Sequence, residues 1–189
     1  MHPSAILDFW LSERVRPHWF ERSDPVDREI AERFAGWLEP AKEGALAGWE
    51  AEPRPALALL LLLDQFPRHI FRGKPRAFAY DATARAVAGR AIARGFPARI
   101  PLDHRYFFYL PYEHSESPAD QERSLRLFRD WVEAHEGEAR ARVEEHFRYC
   151  LRHAEIVRRF GRFPHRNAIL GRESTPAEVE FLKEPMSSF

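Results

Sequence analysis

The spacing of apolar residues is the strongest constraint on what this chain can fold into. Apolar side chains recur every three or four positions in several segments, for example at Val26, Ile30, Phe34 and Leu38, which is the period of one helix face. β-Branched residues are sparse and no run alternates at period two, so strand signals are nearly absent. The chain is therefore predicted to be all-α.

Start and stop signals accompany these segments. Four of them begin with residues that favour a helix N-terminus: Asp24-Pro25, Asp81, Ser117-Pro118 with Asp120 as a capping box, and the capping box Thr175-Pro176-Ala177-Glu178. Gly95 and Gly161 stand where a left-handed residue would end a helix. Short connections between amphipathic helices favour antiparallel stacking, in a superhelix or a bundle.

Two segments are ambiguous by period alone. The run from Ala56 to Leu63 is apolar all round, and its Leu and Ala residues favour a central buried helix that begins at Pro55. Eight residues are far fewer than the ~20 needed to span a bilayer, so no membrane role is expected. The short aromatic segment from Tyr106 to Leu110 is predicted to be a buried helical turn that ends at Pro111.

Composition narrows the class of protein. A length of 189 residues suits a single helical domain over 1–189. Basic and acidic residues number 29 each, and a formal net charge of zero argues against nucleic-acid binding. Because Cys150 is the only cysteine and lies on an apolar helix stripe, we expect a small core residue, no disulfide and no cysteine-based metal site. No signal peptide is visible, so a cytoplasmic protein is expected.

The first polar cluster directly follows the apolar run. Asp64 and Gln65 stand at the edge of the predicted core, and a half-buried carboxylate there needs a partner. Arg68 has the right spacing if the turn stays helical, but Pro67 disfavours helix at Phe66, so an arginine from elsewhere serves equally well. An Asp–Arg clamp at the helix end and a functional carboxylate are both left open.

The second cluster places His114 between Glu113 and Glu116, just before a predicted helix. His114 and Glu116 can serve as a base and its orienting group, or as two metal ligands. A stable metal site needs three or four ligands, and the segment supplies too few. We therefore favour a hydrogen-bonded loop histidine over a metal site, and expect no metal and no cofactor.

The third cluster is rich in arginine. Within fifteen residues the chain carries Arg158, Arg159, Arg162, His165, Arg166 and Arg172, with no acidic residue among them. Bringing guanidinium groups together costs repulsion, which two arrangements relieve. One is pairing with carboxylates, for which Asp64, Glu113, Glu116 and Asp120 are candidates. The other is binding of a phosphate or carboxylate ligand, and the two are not exclusive.

These residues carry a resemblance that covers nearly the whole chain. The stretches that carry the resemblance are Leu62-Leu63-Asp64-Gln65-Phe66-Pro67-Arg68, Phe71-Arg72-Gly73, His114-Ser115-Glu116, and Phe160-Gly161-Arg162-Phe163-Pro164-His165-Arg166-Asn167. The sequence resembles a bacterial family known only as a domain of unknown function. The resemblance implies an all-helical architecture similar to tetratricopeptide repeats, and no established activity. His69 is the one departure, because the family is expected to carry asparagine there.

Two functions follow as expectations. The first is binding of an anionic small molecule or an acidic peptide in an arginine-lined pocket. Its ligand-binding residues are Arg68, Arg72, Arg162, Arg166, Asn167 and Arg172. The second is a hydrolase acting on a phosphorylated or carboxylated small molecule, in which His114 or His165 is the base and Glu116 or Asp64 orients it.

Overall fold

The computed structural model describes residues 1–189 and contains no β-strand, which confirms the all-α class. The chain divides into two compact units, Met1–Pro111 and Tyr112–Phe189, and each is described by itself. The single domain expected over residues 1–189 and the tetratricopeptide-like arrangement stay predictions.

The first unit contains seven α-helices joined by short 3-10 turns. The α-helices are α1 (Pro3–Trp10), α2 (Asp24–Phe34), α3 (Leu38–Lys42), α4 (Pro53–Leu60), α5 (Phe66–Ile70), α6 (Asp81–Ala93) and α7 (Leu102–Arg105). The 3-10 turns are Arg16–His18, Ala35–Trp37, Ala47–Ala51, Pro75–Phe78, Phe96–Arg99 and Tyr106–Phe108. Helix α4 packs against α1 and α6, and α2 packs against α5.

The apolar run forms the centre of this unit. Every residue from 56 to 63 is at most 2% exposed, as expected for a helix buried all round. The α-helical geometry ends at Leu60 and continues as a π-helical turn over Leu61–Gln65. No helix of the protein combines the length and the apolar character needed to cross a membrane.

The π-helical turn explains how the chain stays helical through Pro67. An α-helix would need an N–H at Pro67, and the proline ring would clash with the carbonyl of Leu63. Instead the N–H of Phe66 donates to the carbonyl of Leu61, five residues back, and α5 begins at Phe66. The wider turn relieves the clash, so Arg68 keeps its helical spacing from Asp64.

The second unit is built on a helical hairpin. Its elements are α9 (Pro118–Glu133), α10 (Gly137–Phe160), the 3-10 turn Pro164–Arg166, α11 (Asn167–Leu170) and α12 (Pro176–Phe181); the short helix α8 (Leu110–Glu113) contains the boundary between the units. Helix α10 packs along α9 and ends at Gly161, which adopts a left-handed conformation. Ile156, Val157, Phe163 and Phe181 form a buried cluster behind this end.

Cys150 lies fully buried between α9 and α10. Its sulfur is 3.3 Å from Oγ of Ser124, and burial raises the pKa of the thiol far above its ordinary range. A thiol that stays protonated is a poor nucleophile, so Cys150 is a core residue, as predicted.

Some helix termini differ from their predictions. Asp24 and Asp81 lie in the first turn, one residue inside the expected cap, and make no capping bond. Ser117 is the N-cap of α9, but the expected capping box is absent: the N–H of Ser117 donates to Oγ of Ser115 at 3.2 Å, and Oγ of Ser115 donates to Asp120 at 2.7 Å. The capping box of Thr175 and Glu178 is present.

The predicted stop at Pro111 is wrong. Helix α8 runs from Leu110 through Glu113, with Pro111 as its second residue. A proline there loses no hydrogen bond, because the first N–H groups of a helix have no partner within it.

We predict that the buried centre of the first unit is sensitive to cavities. Leu62→Ala removes a fully buried side chain and should lower the free energy of unfolding by about 2–5 kcal/mol. Leu151→Ala, at a site 46% exposed, should cost far less. Urea unfolding followed by circular dichroism measures both changes, and equal losses would contradict the burial described here.

Candidate functional site

Arg68 in the first unit is held by two carboxylates. Its guanidinium donates to both oxygens of Asp81, at 3.0 and 3.2 Å, and lies 3.5 Å from Oδ1 of Asp64. It also donates to the backbone carbonyl of Asp64 at 2.6 Å, while Gln65 donates to Oδ2 of Asp64. The arrangement is the Asp–Arg clamp considered above, with Asp81 as an additional partner that the sequence did not indicate.

A second polar group of the first unit centres on Asp27. Nδ1 of His69 lies 2.7 Å from Oδ1 of Asp27, and Arg72 donates to both carboxylate oxygens at 3.1–3.2 Å. Burial of Asp27 raises its pKa, but the bonds and charges of His69 and Arg72 outweigh burial and lower it. Arg72 is therefore occupied by a carboxylate from α2.

In the second unit, Glu116 organises the turn that follows α10. Arg172 forms a fork on Glu116, with N–O distances of 2.7 and 2.9 Å, and the N–H of Phe163 donates to the same carboxylate at 2.8 Å. Arg172 also donates to Oδ1 of Asn167 and to the carbonyl of Phe163. Burial raises the pKa of Glu116, yet these donors lower it overall, so the carboxylate stays charged. Arg172 and Asn167 therefore hold the turn in place.

Arg162 forms the second fork of this turn. Its guanidinium donates to both oxygens of Glu178, at 2.6 and 2.8 Å, and to the carbonyl of Glu173. The N–H of Thr175 donates to Glu178 as well, which completes the capping box. The bond from Arg162 lowers the pKa of Glu178 to about 2, against the opposing effect of burial.

Four of the predicted ligand-binding arginines are thus paired with carboxylates. Three of the partners were not among the expected carboxylates: Asp27, Asp81 and Glu178. Each of the three lies in the first turn of a helix, a position that favours acidic residues but does not single out an arginine partner.

The remaining candidates of the second unit gather around Phe163. We call His114, His153, His165 and Arg166 the histidine cluster. The ring centroids of His153 and His165 lie 5.5 and 5.7 Å from that of Phe163, and the guanidinium of Arg166 lies 4.5 Å over the same ring. The rings of His114 and His153 are 6.2 Å apart. His153 was not selected as a site residue from the sequence.

Burial and positive charge act together on these imidazoles. Burial and the charge of Arg166 lower the pKa of His165 to about 4, although Glu116 opposes the shift. Burial and the positive charge of His114 hold the pKa of His153 well below its usual range. Nδ1 of His165 is withdrawn from water and has no hydrogen-bond partner. Both imidazoles are therefore neutral near pH 7.

One histidine has an orienting carboxylate. Nδ1 of His153 lies 3.0 Å from Oε1 of Glu113 and 2.9 Å from the carbonyl of Tyr149. Glu116, the expected orienting group, instead accepts from Arg172 and Phe163. Asp64, the other candidate, belongs to the first unit. No group of three or more His, Cys, Asp or Glu side chains has the geometry to hold a metal ion.

Two open surface depressions have volumes of about 470 Å³ each. One, in the first unit, lies between Lys42, Thr83 and Arg90. The other, in the second unit, lies along α10 beside Tyr149 and Met186. Their linings contain none of the predicted site residues and no convergent set of buried polar groups. Neither depression is lined by a member of the histidine cluster.

Comparison with known proteins extends over both units. A sequence model of the family described as "bacterial protein of unknown function (DUF924)" matches residues 6–186. Among solved structures, the chain is similar to a protein of unknown function, ATU0120 from Agrobacterium tumefaciens, with 40% sequence identity over 96% of each chain and a TM-score of 0.81. No curated protein matches the chain.

We predict that Glu178 contributes to stability in a pH-dependent way. Its folded pKa of about 2 lies below the ordinary 4.5, so its stabilisation is present above pH 4.5 and is lost as the pH falls toward 2. Glu178→Gln should lower the free energy of unfolding at pH 7 by roughly 2 kcal/mol and flatten this acid limb. The control is Glu180→Gln, an exposed carboxylate on the same helix. Equal effects of both substitutions, in urea titrations from pH 7 to pH 3, would contradict the role of the Arg162 fork.

We also predict an acid-shifted titration of His165. Its ring should titrate near pH 4, and Arg166→Gln should raise the pKa because a neighbouring positive charge is removed. Protonation opposes folding, so this part of the stability is present above pH 6.5 and is lost as the pH falls toward 4. NMR of the imidazole Cε1–H gives the pKa directly. An unchanged value in Arg166→Gln would show that burial alone sets it.

Proposed function

This chain belongs to the DUF924 family of bacterial proteins of unknown function, as its motifs predicted, and we propose that it binds an anionic small molecule at the histidine cluster. An acidic peptide offers the same charge and is the other ligand class that the experiment below distinguishes. The zero formal net charge does not favour nucleic acid as a partner. The single buried cysteine is compatible with the proposed location in the reducing cytoplasm.

The observation that carries the proposal is the environment of His165. A buried ring nitrogen without a hydrogen-bond partner has a cost that a ligand group can remove. Arg166, 7% exposed, adds a positive charge beside it, and His114 and Arg172 act in the same direction. An anion bound here would offset that repulsion and accept charge-assisted hydrogen bonds.

The two forks indicate which arginines of this segment have a structural role. Arg162 is paired with Glu178, and Arg172 is paired with Glu116 and Asn167. We propose that these contacts position the turn that carries His165 and Arg166. Arg68 and Arg72 of the first unit are paired with Asp81 and Asp27. We propose direct ligand contact for His165 and Arg166 because Nδ1 of His165 is buried without a hydrogen-bond partner and the guanidinium of Arg166 lies over the neighbouring ring of Phe163.

Hydrolysis remains the second candidate because His153 and Glu113 form a base–carboxylate pair at 3.0 Å. A general base works best when its pKa is near the working pH. The pKa of His153 is held well below its usual range, so its proton affinity is low. This difference favours binding over base catalysis.

We expect sulfate, which keeps both negative charges over this range, to bind to the protein more tightly as the pH falls from 7 to 5. The bound anion favours protonated His165, so binding and proton uptake are linked. Glu116 opposes the effect of Arg166 and Arg172 at this ring, and His114 adds to it when charged. Isothermal titration and NMR of the imidazole resonances measure the affinity and locate the site.

Arg166→Gln should weaken phosphate binding by about 10-fold or more, the loss expected for one charge-assisted contact. Arg166→Lys, which keeps the charge, should retain part of the affinity. Arg90→Gln makes the same charge change at an exposed pair of the first unit and is the matched control. Equal weakening in the control would show nonspecific attraction. Binding of tetraglutamate at His165, without phosphate binding, would assign an acidic peptide instead.

A further inference from the structure

The ring of Phe189 is stacked on the histidine cluster. Its centroid lies 3.9 Å from that of His153, with 28° between the planes, and 6.2 Å from that of His165, with the rings edge to face. Phe163 meets His153 edge on at 5.5 Å. A planar ring therefore already fits against the face of one imidazole and the edge of another.

The segment before Phe189 is anchored more firmly than the ring itself. Ser187 is buried and donates to the carbonyl of Leu182, and Arg152 on α10 donates to the carbonyl of Met186. Met186 has a φ of +55°, a conformation that non-glycine residues seldom adopt, and this turns the chain. Phe189 is 48% exposed, so its ring can leave without opening the core.

The neutral state of His153 makes this face suitable for aromatic ligands. An uncharged imidazole offers a π-face, and stacked aromatic pairs gain stability beyond the area they bury. The positive charge of Arg166 lies on the neighbouring Phe163 ring, within the same cluster. One ligand molecule can therefore stack its ring on His153 while its anionic group lies near Arg166.

We propose that the space against His153 and His165 is a subsite for a planar ring, so that the anionic ligand of this protein carries an aromatic group, and that Phe189 occupies the subsite until the ligand displaces it. The inference rests on the proposed function, because the anionic group is assigned to His165 and Arg166. It adds the chemical class of the ligand, an aromatic phosphate or carboxylate. It also makes Phe189 an internal competitor for the ligand's ring.

Three phosphates test the subsite on the intact chain: inorganic phosphate, phenyl phosphate and cyclohexyl phosphate. Phenyl phosphate should bind about 2- to 10-fold more tightly than cyclohexyl phosphate, the gain expected for one aromatic stack. Its binding should also shift the NMR resonances of His153, which inorganic phosphate should move much less. Isothermal titration gives the affinities.

Phe189→Ala tests the competition. Removing the ring should strengthen binding of phenyl phosphate and leave the affinity for inorganic phosphate unchanged. Phe20→Ala, which removes a ring 67% exposed in the first unit, is the control and should change neither. Circular dichroism confirms that both variants remain folded.

The outcomes separate the two proposals. Equal affinities for the phenyl and cyclohexyl compounds, or no gain in Phe189→Ala, overturn the ring subsite while the anion site stands. Failure of all three phosphates to perturb His165 overturns the anion site, and with it the inference that depends on it. Tighter binding of phenyl phosphate with the predicted response of Phe189→Ala supports both.

Discussion

A guanidinium group withdrawn from water needs a carboxylate in reach, and the turn after α10 is built on two such pairs. Arg162 with Glu178 and Arg172 with Glu116 connect residues 16 and 56 positions apart in the sequence. Each pair is forked, so it fixes orientation as well as distance. The turn that carries His165 is therefore held by two forked ion pairs.

The same rule operates in the first unit with a different result. Asp64 and Asp81 enclose Arg68, and Asp27 accepts from Arg72, so each of these guanidinium groups is paired with a carboxylate of the same unit. The wide helical turn before Phe66 makes this possible, because it lets the helix pass Pro67 and bring Arg68 back to Asp64. A guanidinium paired with a carboxylate supports the fold. A neutral imidazole beside positive charges, such as His165, can instead gain a partner when an anionic ligand binds.

Much of the fold was predictable because local signals agreed with one another. The apolar stripe of α2, the capping box at Thr175 and the left-handed Gly161 each depend on neighbouring residues alone, and each is present. The errors arose where nonlocal contacts chose between local options. At the start of α9 the hydroxyl of Ser115 accepts from the N–H of Ser117 and donates to Asp120, which replaces the expected capping box, and the sequence offered no means to choose between these bonds.

The sequence by itself determined the helical class, the family and the presence of an excess of arginine beside histidine near residue 165. Only the tertiary structure decided which carboxylates pair with Arg68, Arg72, Arg162 and Arg172, and which imidazoles lie near the ring of Phe163. The physical reason is the sequence separation over which each interaction acts. Helix periodicity and capping involve residues a few positions apart, whereas charge pairing and ring stacking depend on which distant side chains folding brings within a few ångströms. Phe189 shows this most clearly, since nothing in its neighbours predicts that its ring lies on His153.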